Sequence, residues 1–327
     1  MKPDKGWSNI NLLVDTAWPR LDAYLVSQLE GLSRTRIQSL IKSGQVQVDD
    51  ARVLKPRTAL AGGERIQVDV PAQPELSHLE PQALALDIIY EDGAIIVLNK
   101  PSGLVVHPGA GVRDGTLVNA LLWHFQSLSA GSHVQRPGIV HRLDKGTSGV
   151  MVIARNDRAH LKLARQFEHR LVEKSYLALV WGDTPEADTI ETMLARDARN
   201  RIAFTAKTER GRAALTNYKT IERFGGFSLL EVRPATGRTH QIRVHLSHIN
   251  HPIFEDDLYG GRKTAAAISP QLRQVVAQLR NQIKRPALHA QRLSFSHPDT
   301  GSEVSFEAPL PSDMEGALAL LRKQPSA

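Results

Sequence analysis

The sequence predicts an α+β fold in two units: a small N-terminal module, and a larger domain built on a mixed, mainly antiparallel sheet with flanking helices. Segments with strand-like alternation outnumber helical segments, and most of them follow one another along the chain. Consecutive strands of this kind usually pair as antiparallel neighbours, whereas a doubly wound parallel sheet needs a helix after each strand. A polar, Pro-bearing and aperiodic stretch at 72–83 is typical of a linker between two folded units.

The N-terminal module is predicted to span 17–71, after an N-terminal extension at 1–16. Apolar residues recur at helical spacing from Trp18 to Leu29, and RTRIQSLIKSG predicts a second, basic helix that ends at Gly44. In this helix the apolar residues are expected to face inward, namely Ile37, Leu40 and Ile41. QVQVD and RIQVDV then alternate in the manner of two paired strands.

The second unit is predicted to span 84–327 and to contain more strands than helices. Its predicted elements are, in order, the strands LDIIYED and AIIVLNKP, the helix GTLVNALLWHF, the strand GVMVIARN, the helix RAHLKLARQFEHRL, the strands KSYLALVWG and FSLLEVRPA, the helix THQIRVHLSHI, the strands HAQRLSFSHP and EVSFEAP, and the helix SDMEGALALLRK. A helical insertion at 262–285 precedes the strand that begins near Leu288.

Composition excludes several classes of function. The 327 residues include 41 Lys and Arg against 34 Asp and Glu, for a formal charge of +7, and no Cys. Without Cys the chain has no disulfide scaffold, thiol nucleophile or Cys-based metal site. The sequence also lacks a sustained signal-peptide core and any apolar stretch of about 18 residues. It therefore predicts a cytoplasmic protein without a membrane partner.

Positive charge is concentrated in two segments. Residues 196–243 hold eleven Lys and Arg against four acids, and residues 34–65 hold seven against three. Two separated basic patches favour a long polyanion as the partner. Solvated surface charge explains either patch taken alone, so charge leaves both interpretations open.

The densest cluster of chemically active residues is GIVHRLDKGTSG at 138–149. It places Asp144 beside a base, hydroxyls and glycines immediately before a buried strand, which favours a rigid carboxylate close to a ligand. The alternative is an Asx turn, in which the Asp144 carboxylate accepts hydrogen bonds from the amides of Thr147 and Ser148. Motifs for aspartyl-phosphate enzymes, kinases and dinucleotide binding are incomplete in this chain.

Four histidines raise the question of a metal site, namely His240, His245, His248 and His251. Two of them share a helical face, but no H-E-x-x-H and no suitably placed carboxylate accompanies them. We therefore expect these histidines to pack or to contact phosphate. The sequence predicts neither a metal nor a cofactor.

Four motifs in a fixed order carry a resemblance to a known family. They are ALDIIYEDGAIIVLNKPSGLVVHPG, PGIVHRLDKGTSGVMVIAR, ATGRTHQIRVHLSHINHP and RPALHAQRLSFSHP. The chain resembles the pseudouridine synthases that act on large ribosomal RNA, in particular the type that modifies the helix-69 stem-loop of 23S rRNA. The likeness runs from about residue 17 to residue 322, and the N-terminal module resembles the S4 RNA-binding domain.

The resemblance implies roles for individual residues. Asp144 would be the catalytic aspartate, Tyr176 would stack on the flipped uracil, and Arg243 would pair with Asp144. Further substrate contacts are implied for Leu288, which would lie under the base, and for Arg142, Arg238, His240 and Gln241. RNA contacts of the S4-like module are implied for Arg34, Arg36, Lys42, Arg52 and Lys55.

The resemblance also implies a partner, which is 23S rRNA, either free or in an assembling large ribosomal subunit, bound by a monomeric protein. The chain departs from the family pattern at two turns. Asp49-Asp50 stands where the S4 module usually carries Asn-Gly, and Glu255-Asp256 stands where the synthases usually carry Gly-Asp after His-Pro. We therefore expect a different shape for the loop 254–261.

The implied reaction suits the residues. Converting uridine to its C-glycoside isomer breaks the N1–C1′ bond, turns the uracil and rejoins it through C5, so that nothing is added or removed. One carboxylate acting on C1′ or C6, or as a base at C2′, and a pocket that retains the uracil are sufficient. Two alternatives stay open: a synthase of the same family that acts on transfer RNA, and a ribosome-assembly factor that binds RNA without catalysis.

Overall fold

A computed structural model describes residues 8–29, 32, 34–70, 79–109, 112–125, 128–129, 136–200 and 202–324. These residues form two sheets, one of four strands in the N-terminal part and one of ten strands in the rest of the chain. Residues 1–7 of the expected extension and 72–78 of the expected linker lie outside the described residues. Residues 79–83 have no regular secondary structure.

The N-terminal unit is a four-stranded antiparallel sheet that packs against two helices. Its elements are β1 (Ser8–Leu13), α1 (Leu21–Gln28), α2 (Arg34–Lys42), β2 (Val46–Val48), β3 (Ala51–Arg52) and β4 (Arg65–Val70), with the strand order β1-β4-β2-β3. The predicted inward face of α2 is confirmed, because Ile37, Leu40 and Ile41 are buried in one core with residues of α1.

Strand β1 is an element that the sequence did not predict. It lies in the range assigned to an N-terminal extension, and it pairs with β4 from Ser8 opposite Val70 to Leu13 opposite Arg65. As an edge strand, β1 leaves Leu13 exposed, so its apolar residues do not mark a single buried face. The small sheet therefore begins before residue 17.

The hairpin between β2 and β3 turns on Asp49 and Asp50. Both residues have positive φ, 48° and 62°, as the two central residues of a type I′ turn require. The Asp49 carboxylate accepts a hydrogen bond from the backbone N–H of Arg65 at 2.9 Å. The Asp-Asp pair therefore forms the turn that the family usually makes with Asn-Gly.

The large sheet contains the other ten strands. They are β5 (Ile88–Glu91), β6 (Ile95–Lys100), β7 (Ser148–Ala154), β8 (Glu173–Trp181), β9 (Ala187–Arg196), β10 (Phe204–Thr205), β11 (Arg212–Arg223), β12 (Phe227–Pro234), β13 (Leu288–Ser296) and β14 (Glu303–Glu307). Their order is β10-β9-β11-β12-β8-β13-β7-β6-β5, with β14 paired to β13. Strands β13 and β7 are parallel and the other described strand pairs are antiparallel. The predicted mixed, mainly antiparallel fold is confirmed.

Five helices accompany this sheet. They are α3 (Leu117–His124), α4 (Asp157–Glu168), α5 (Gln241–His248), α6 (Arg273–Gln282) and α7 (Ser312–Arg322). The predicted helical insertion contains α6, which follows two short 3₁₀ turns and buries Val276 and Leu279 in one core with α7. Among the described helices, none is both long and apolar enough to cross a bilayer.

Strands β9, β10 and β11 lie in or beside the basic segment, where the sequence patterns predict no element. In β11 the buried positions alternate with exposed ones and include Ala214, Thr216 and Tyr218. Alanine and threonine give a weak apolar signal at the buried positions, and the exposed positions include Ile221 as well as Asn217 and Lys219. The alternation becomes visible only when β11 lies between its partners β9 and β12.

The centre of the large sheet is the place where two hydrophobic cores meet. Tyr176 on β8 packs against both of them. Gly149 of β7 lies opposite Ala290 of β13, and a Cβ at Gly149 would overlap the Ala290 carbonyl oxygen. This glycine, with φ of 119°, therefore lets β7 and the loop before it approach β13 closely.

Candidate active site

Asp144 lies in the loop that leads into β7. Its backbone carbonyl accepts a hydrogen bond from the Thr147 N–H at 3.0 Å, which closes a tight turn. The carboxylate accepts from Arg243 at 3.2 Å, and not from the amides of Thr147 and Ser148 as the Asx-turn alternative required. The Asp144 side chain is 20% exposed. The turn therefore leaves its carboxylate available to a ligand.

Lys100, at the end of β6, supports the same loop. It is fully buried, donates to two backbone carbonyls at 2.8 and 2.9 Å, and reaches the Lys145 carbonyl at 3.5 Å. Burial and then the charge of Arg285 lower the pKa of Lys100 to about 7, while the charge of Asp144 acts in the opposite direction. Sequence reasoning did not select this lysine, because only its Lys-Pro context distinguished it from surface lysines.

Arg243 on α5 bridges two carboxylates. Its Nε and Nη2 donate to the two oxygens of Asp256 at 2.6 and 2.8 Å, and its Nη1 donates to Asp144 at 3.2 Å. The implied Arg243–Asp144 contact is present, but Asp256 is the closer, bidentate partner. Burial opposes the charge on Arg243, yet Asp256 and then Asp144 raise its pKa above the usual range. The guanidinium therefore stays charged and orients the Asp144 carboxylate.

The loop 254–261 holds Asp256 in place. Asp256 is fully buried, and its Oδ1 also accepts a backbone N–H from within the loop at 3.1 Å. The Gly261 N–H donates to the Asp256 carbonyl at 2.8 Å, and a Cβ at Gly261 would overlap the carbonyl oxygen of Ile253. The loop closes tightly on itself and presents a fixed carboxylate to Arg243.

Glu255 stands where the family pattern has glycine. Its φ is 57°, in the left-handed region that glycine adopts at least cost. The buried Glu255 carboxylate binds Arg280 of α6 at 2.8 Å and lies 3.4 Å from Arg262. These ion pairs offset the backbone strain and connect the loop to the inserted helix. The altered loop shape expected from the sequence stays a prediction.

His240 lies between Asp144 and Tyr259. It caps α5 in the left-handed conformation, with φ of 57°. Its Nδ1 is 2.8 Å from the Tyr259 hydroxyl, and its Nε2 is 3.8 Å from the Asp144 carboxylate. Burial lowers the pKa of His240, while the charge of Asp144 acts in the opposite direction. The hydrogen bond to Tyr259 fixes the orientation of the imidazole beside the carboxylate.

Tyr176 on β8 supplies an aromatic wall to the site. Burial, and then the charge of Asp144, raise the pKa of Tyr176 above its usual value of 10. The phenol therefore stays protonated at neutral pH. Its ring offers a neutral face on which a base can stack.

A cavity of about 460 Å³ joins these groups, within the range of about 300–1,000 Å³ that is usual for small-ligand sites. Its walls bring together all the residues predicted for catalysis and substrate binding, which are Asp144, Tyr176, Arg243, Arg142, Leu288, Arg238, His240 and Gln241. They come from separate strands, loops and a helix that the centre of the sheet places side by side. The roles of the individual residues stay predictions.

Gln241 differs from the other residues because its amide is already bonded within the protein. Its Oε1 accepts from the Thr236 hydroxyl at 2.7 Å and from the Arg238 N–H at 3.0 Å. Its Nε2 donates to the Leu215 carbonyl and the Thr216 hydroxyl, both at 2.9 Å. Gln241 therefore fixes the loop before α5, and its implied contact with the substrate stays a prediction.

Comparison with known proteins identifies the family. A sequence profile described as RNA pseudouridylate synthase matches residues 94–248, and the S4 domain profile matches residues 19–66. The "Ribosomal large subunit pseudouridine synthase D" of Neisseria meningitidis serogroup B is 44% identical over 94% of this chain and 80% of its own length. This chain belongs to the RNA pseudouridine synthase family.

Other members give the same result. An RNA pseudouridine synthase of Bacillus subtilis, described as uncharacterized, is 42% identical over 93% of this chain and 94% of its own. The solved structure titled "Human RNA Pseudouridylate Synthase Domain Containing 4" has a TM-score of 0.56 and 26% identity, over 72% of this chain and 93% of that chain. The chain is therefore an isomerase of the pseudouridine synthase family with an N-terminal S4 domain.

The S4 domain exposes most of the basic side chains predicted to contact RNA. Lys42, Arg52 and Lys55 are exposed, and Arg36 is half-buried. The Arg34 side chain is 53% exposed and lies 3.2 Å from the buried Asp22 carboxylate. The Arg34 charge is therefore partly balanced by a carboxylate within the domain. RNA contact by these five side chains stays a prediction.

Sequence reasoning missed the role of Asp256 as the partner of Arg243. The two residues are joined by a helix end and a loop, and no regular spacing links them. The available signal was an acid four residues after the motif that contains Arg243, in a pair of acids that by itself predicts only a change of loop shape.

The histidines form no metal site in the described parts of the chain, where no group of three or more His, Cys, Asp or Glu side chains could hold a metal ion. His245 is buried, and its two ring nitrogens contact the hydroxyls of Thr192 at 3.0 Å and Thr216 at 2.9 Å. Of the two expectations for this histidine, packing is confirmed. A phosphate contact is excluded by its burial.

We expect acid to destabilise the fold through His245. Burial lowers its pKa to about 4, so the folded protein keeps the ring neutral while the unfolded chain takes up a proton near its usual pKa of 6.5. The contribution of neutral His245 to the free energy of unfolding is therefore fully present above about pH 6.5. It decreases as the pH falls towards 4, and roughly 2 kcal/mol is lost at pH 5. Urea unfolding of the wild type and His245→Gln at pH 7.5 and pH 5 measures the effect. An equal loss of stability in both proteins would contradict it.

Proposed function

We propose that the protein isomerises specific uridines of 23S ribosomal RNA, in the helix-69 stem-loop, through Asp144. The observation that carries the proposal is the cavity in which the Asp144 carboxylate, held by Arg243, lies near the neutral ring of Tyr176. Several relatives that match over most of this chain are named for the large ribosomal subunit. The similarity covers the S4 domain as well as the catalytic domain.

The substrate uridine has to leave its stack before it reacts. Asp144 lies at the wall of a cavity, and a base stacked inside a helix cannot reach it. Flipping a nucleotide costs a few kcal/mol and is cheapest where the base is unpaired or weakly paired. A stem-loop provides such uridines, and the arginines at the cavity walls can hold the flanking backbone.

Within the cavity the Asp144 carboxylate acts on C1′ or C6, or removes a proton at C2′. The N1–C1′ bond breaks, the uracil turns and the C5–C1′ bond forms; C5 then loses its proton and N1 takes one up, so that the product is an isomer of the substrate. Arg243 keeps the carboxylate oriented, and Tyr176 retains the detached uracil by stacking. The raised pKa makes a Tyr176 phenolate costly. The neutral hydroxyl can therefore accept the C5 proton only while it donates its hydroxyl proton to another acceptor, such as a water molecule.

The proposed partner is free 23S rRNA or an assembling large subunit. A monomer is sufficient, since every group named in the site comes from one chain. The cytoplasmic location expected from the sequence is part of the proposal.

Mapping pseudouridine in RNA from cells that lack the protein tests the proposal. We expect the helix-69 pseudouridines to disappear and to return when the wild-type protein, but not Asp144→Asn, is supplied. Loss of pseudouridine from transfer RNA with intact ribosomal RNA would favour the alternative target. An assembly defect with every pseudouridine retained would favour a binding role without catalysis.

We expect the S4 domain to contribute to substrate capture more than to chemistry. Lys42 is exposed on α2, next to a shallow cavity formed with Gln38 and Ser39. Lys42→Gln is expected to raise KM and to reduce the slope of log Kd against log salt by about 0.9, because one fewer counterion is released. The value of kcat should stay near that of the wild type.

Steady-state kinetics and RNA titrations at several salt concentrations measure both effects. Lys323→Gln, which removes an exposed lysine at the end of α7, is the matched control. A lowered kcat with unchanged KM would place Lys42 in the catalytic step instead.

A further inference from the structure

A second cavity, of about 430 Å³, adjoins the active-site cavity. Four residues line both cavities, namely Arg170, Lys174, Pro234 and Ala235. The two cavities therefore share a wall, and two of the four residues in that wall carry positive charge. A chain that passes from one cavity to the other has to pass these two cations.

Lys174 is held by the strand that also carries Tyr176. The two residues are separated by one position on β8, so their side chains lie on the same face of the sheet, roughly 7 Å apart along the strand. Lys174 is half-buried. Burial, and then the charge of Arg170, lower the pKa of Lys174. An ammonium at this position is therefore costly without an anion.

Arg170 is placed by the end of α4. It has a φ of 61° and follows the C-cap residue His169. The next residue, Leu171, donates its N–H to the Gln166 carbonyl at 2.9 Å, as in helices that are closed by a left-handed residue. The backbone of Arg170 is thus fixed, although its side chain is exposed.

The charges of Lys174 and Arg170 are not balanced within the described part of the chain. The other two cations of the second cavity are paired, Arg233 with Glu231 at 2.8 Å and Arg292 with Glu307 at 3.1 Å. No carboxylate oxygen among the described residues lies within 4.0 Å of Lys174 or Arg170. Glu168 and Glu173, which also line the cavities, are both exposed.

We propose that Lys174 and Arg170 bind an RNA backbone phosphate next to the flipped uridine, and that the second cavity receives the neighbouring nucleotide. The inference rests on the proposed function, because it takes the uracil to lie on Tyr176. An anion at Lys174, about 7 Å along β8 from that base, belongs to the same or the adjoining nucleotide. A phosphate supplies the negative charge that the shared wall lacks, and Lys and Arg are the usual phosphate contacts in RNA-binding proteins.

The test compares Lys174→Gln and Arg170→Gln with Arg158→Gln, which removes an exposed cation of α4 that lines neither cavity. The Kd for a helix-69 stem-loop RNA is measured across a salt series, and the single-turnover rate is measured at saturating RNA. For the first two variants we expect a Kd about threefold to tenfold higher at low salt and a salt slope smaller by about 0.7. Their single-turnover rates should match that of the wild type, which also shows that they are folded.

Neutral methylphosphonate linkages, introduced one at a time around the target uridine, locate the phosphate. We expect one linkage to weaken binding to the wild type and to Arg158→Gln, but to have no further effect on Lys174→Gln. The proposal is overturned if Lys174→Gln keeps the wild-type affinity and salt slope, if Arg158→Gln loses as much, or if each linkage weakens all proteins equally. These titrations decide the phosphate site separately from catalysis, whereas absence of product with the wild type would refute the proposed function.

Discussion

Asp144→Asn is expected to abolish pseudouridine formation while RNA affinity stays within about threefold of the wild type. The substitution keeps the size of the side chain and a hydrogen-bond acceptor for Arg243, but it removes the charge that, in the proposed reaction, acts on the ribose or the base. Loss of an enzyme nucleophile typically costs about 10⁴-fold or more in kcat. Binding should change little, because the phosphate contacts come from other residues.

Release of tritium from RNA that carries [5-³H]uridine measures this loss under single-turnover conditions, since the C5 hydrogen leaves in the reaction. Asp114→Asn removes an exposed carboxylate elsewhere on the surface and serves as the control. Product formed by Asp144→Asn at high enzyme concentration would show that another group carries out the chemistry.

Asp256→Asn is expected to have the second-largest effect, and to lower both stability and kcat. The buried Arg243 would keep one hydrogen bond at this position but lose its close ionic partner. Breaking a buried ion pair from one side costs about 3–5 kcal/mol, and the retained amide places this variant at the lower end of that range. A guanidinium free to rotate towards Asp144 would no longer hold the Asp144 carboxylate in one orientation.

Asp257→Asn is the matched control, because Asp257 is the next residue in the chain and its side chain is 70% exposed. Thermal unfolding reports the stability, and the kinetics are measured well below the melting temperature of the weaker variant. A fall in kcat at unchanged RNA affinity would identify Asp256 as a positioning residue. If Asp256→Asn lost only stability and reacted as fast as the wild type, the carboxylate would serve the fold alone.

The main parts of the site could be predicted from the sequence because they lie in continuous motifs. Asp144 stands out through its glycines and hydroxyls, and Arg243 through the motif that contains it. The alternation in β8 and β13 is also strong enough to place Tyr176 and Leu288 on strands. Local sequence patterns thus predicted the Asp144 loop and the mixed, mainly antiparallel sheet, and the resemblance to the family supplied the other residues of the cavity.

Contacts that depend on the tertiary fold could not be predicted. Asp256 binds Arg243 only because the loop 254–261 closes on itself, and the amide of Gln241 is bonded only because β11 lies beside it. Lys174 and Arg170 lie at one wall because the end of α4 meets the start of β8. None of these arrangements leaves a periodic trace in the sequence, and each depends on how a loop or a strand is placed in the fold.

The ion pair between Glu255 and Arg280 limits how far the inserted segment can be treated as an exchangeable module. A chimera that replaced residues 262–285 with the shorter connection of another protein would remove Arg262 and Arg280 together. It would leave a buried carboxylate without a counterion, on a residue whose backbone already has an unfavourable conformation. Asp256 is the next residue and binds Arg243, which in turn contacts Asp144. A graft intended for the surface would therefore disturb the Asp144 carboxylate through Glu255 and Asp256. To be tolerated, such a replacement of residues 262–285 would need glycine introduced at position 255 at the same time.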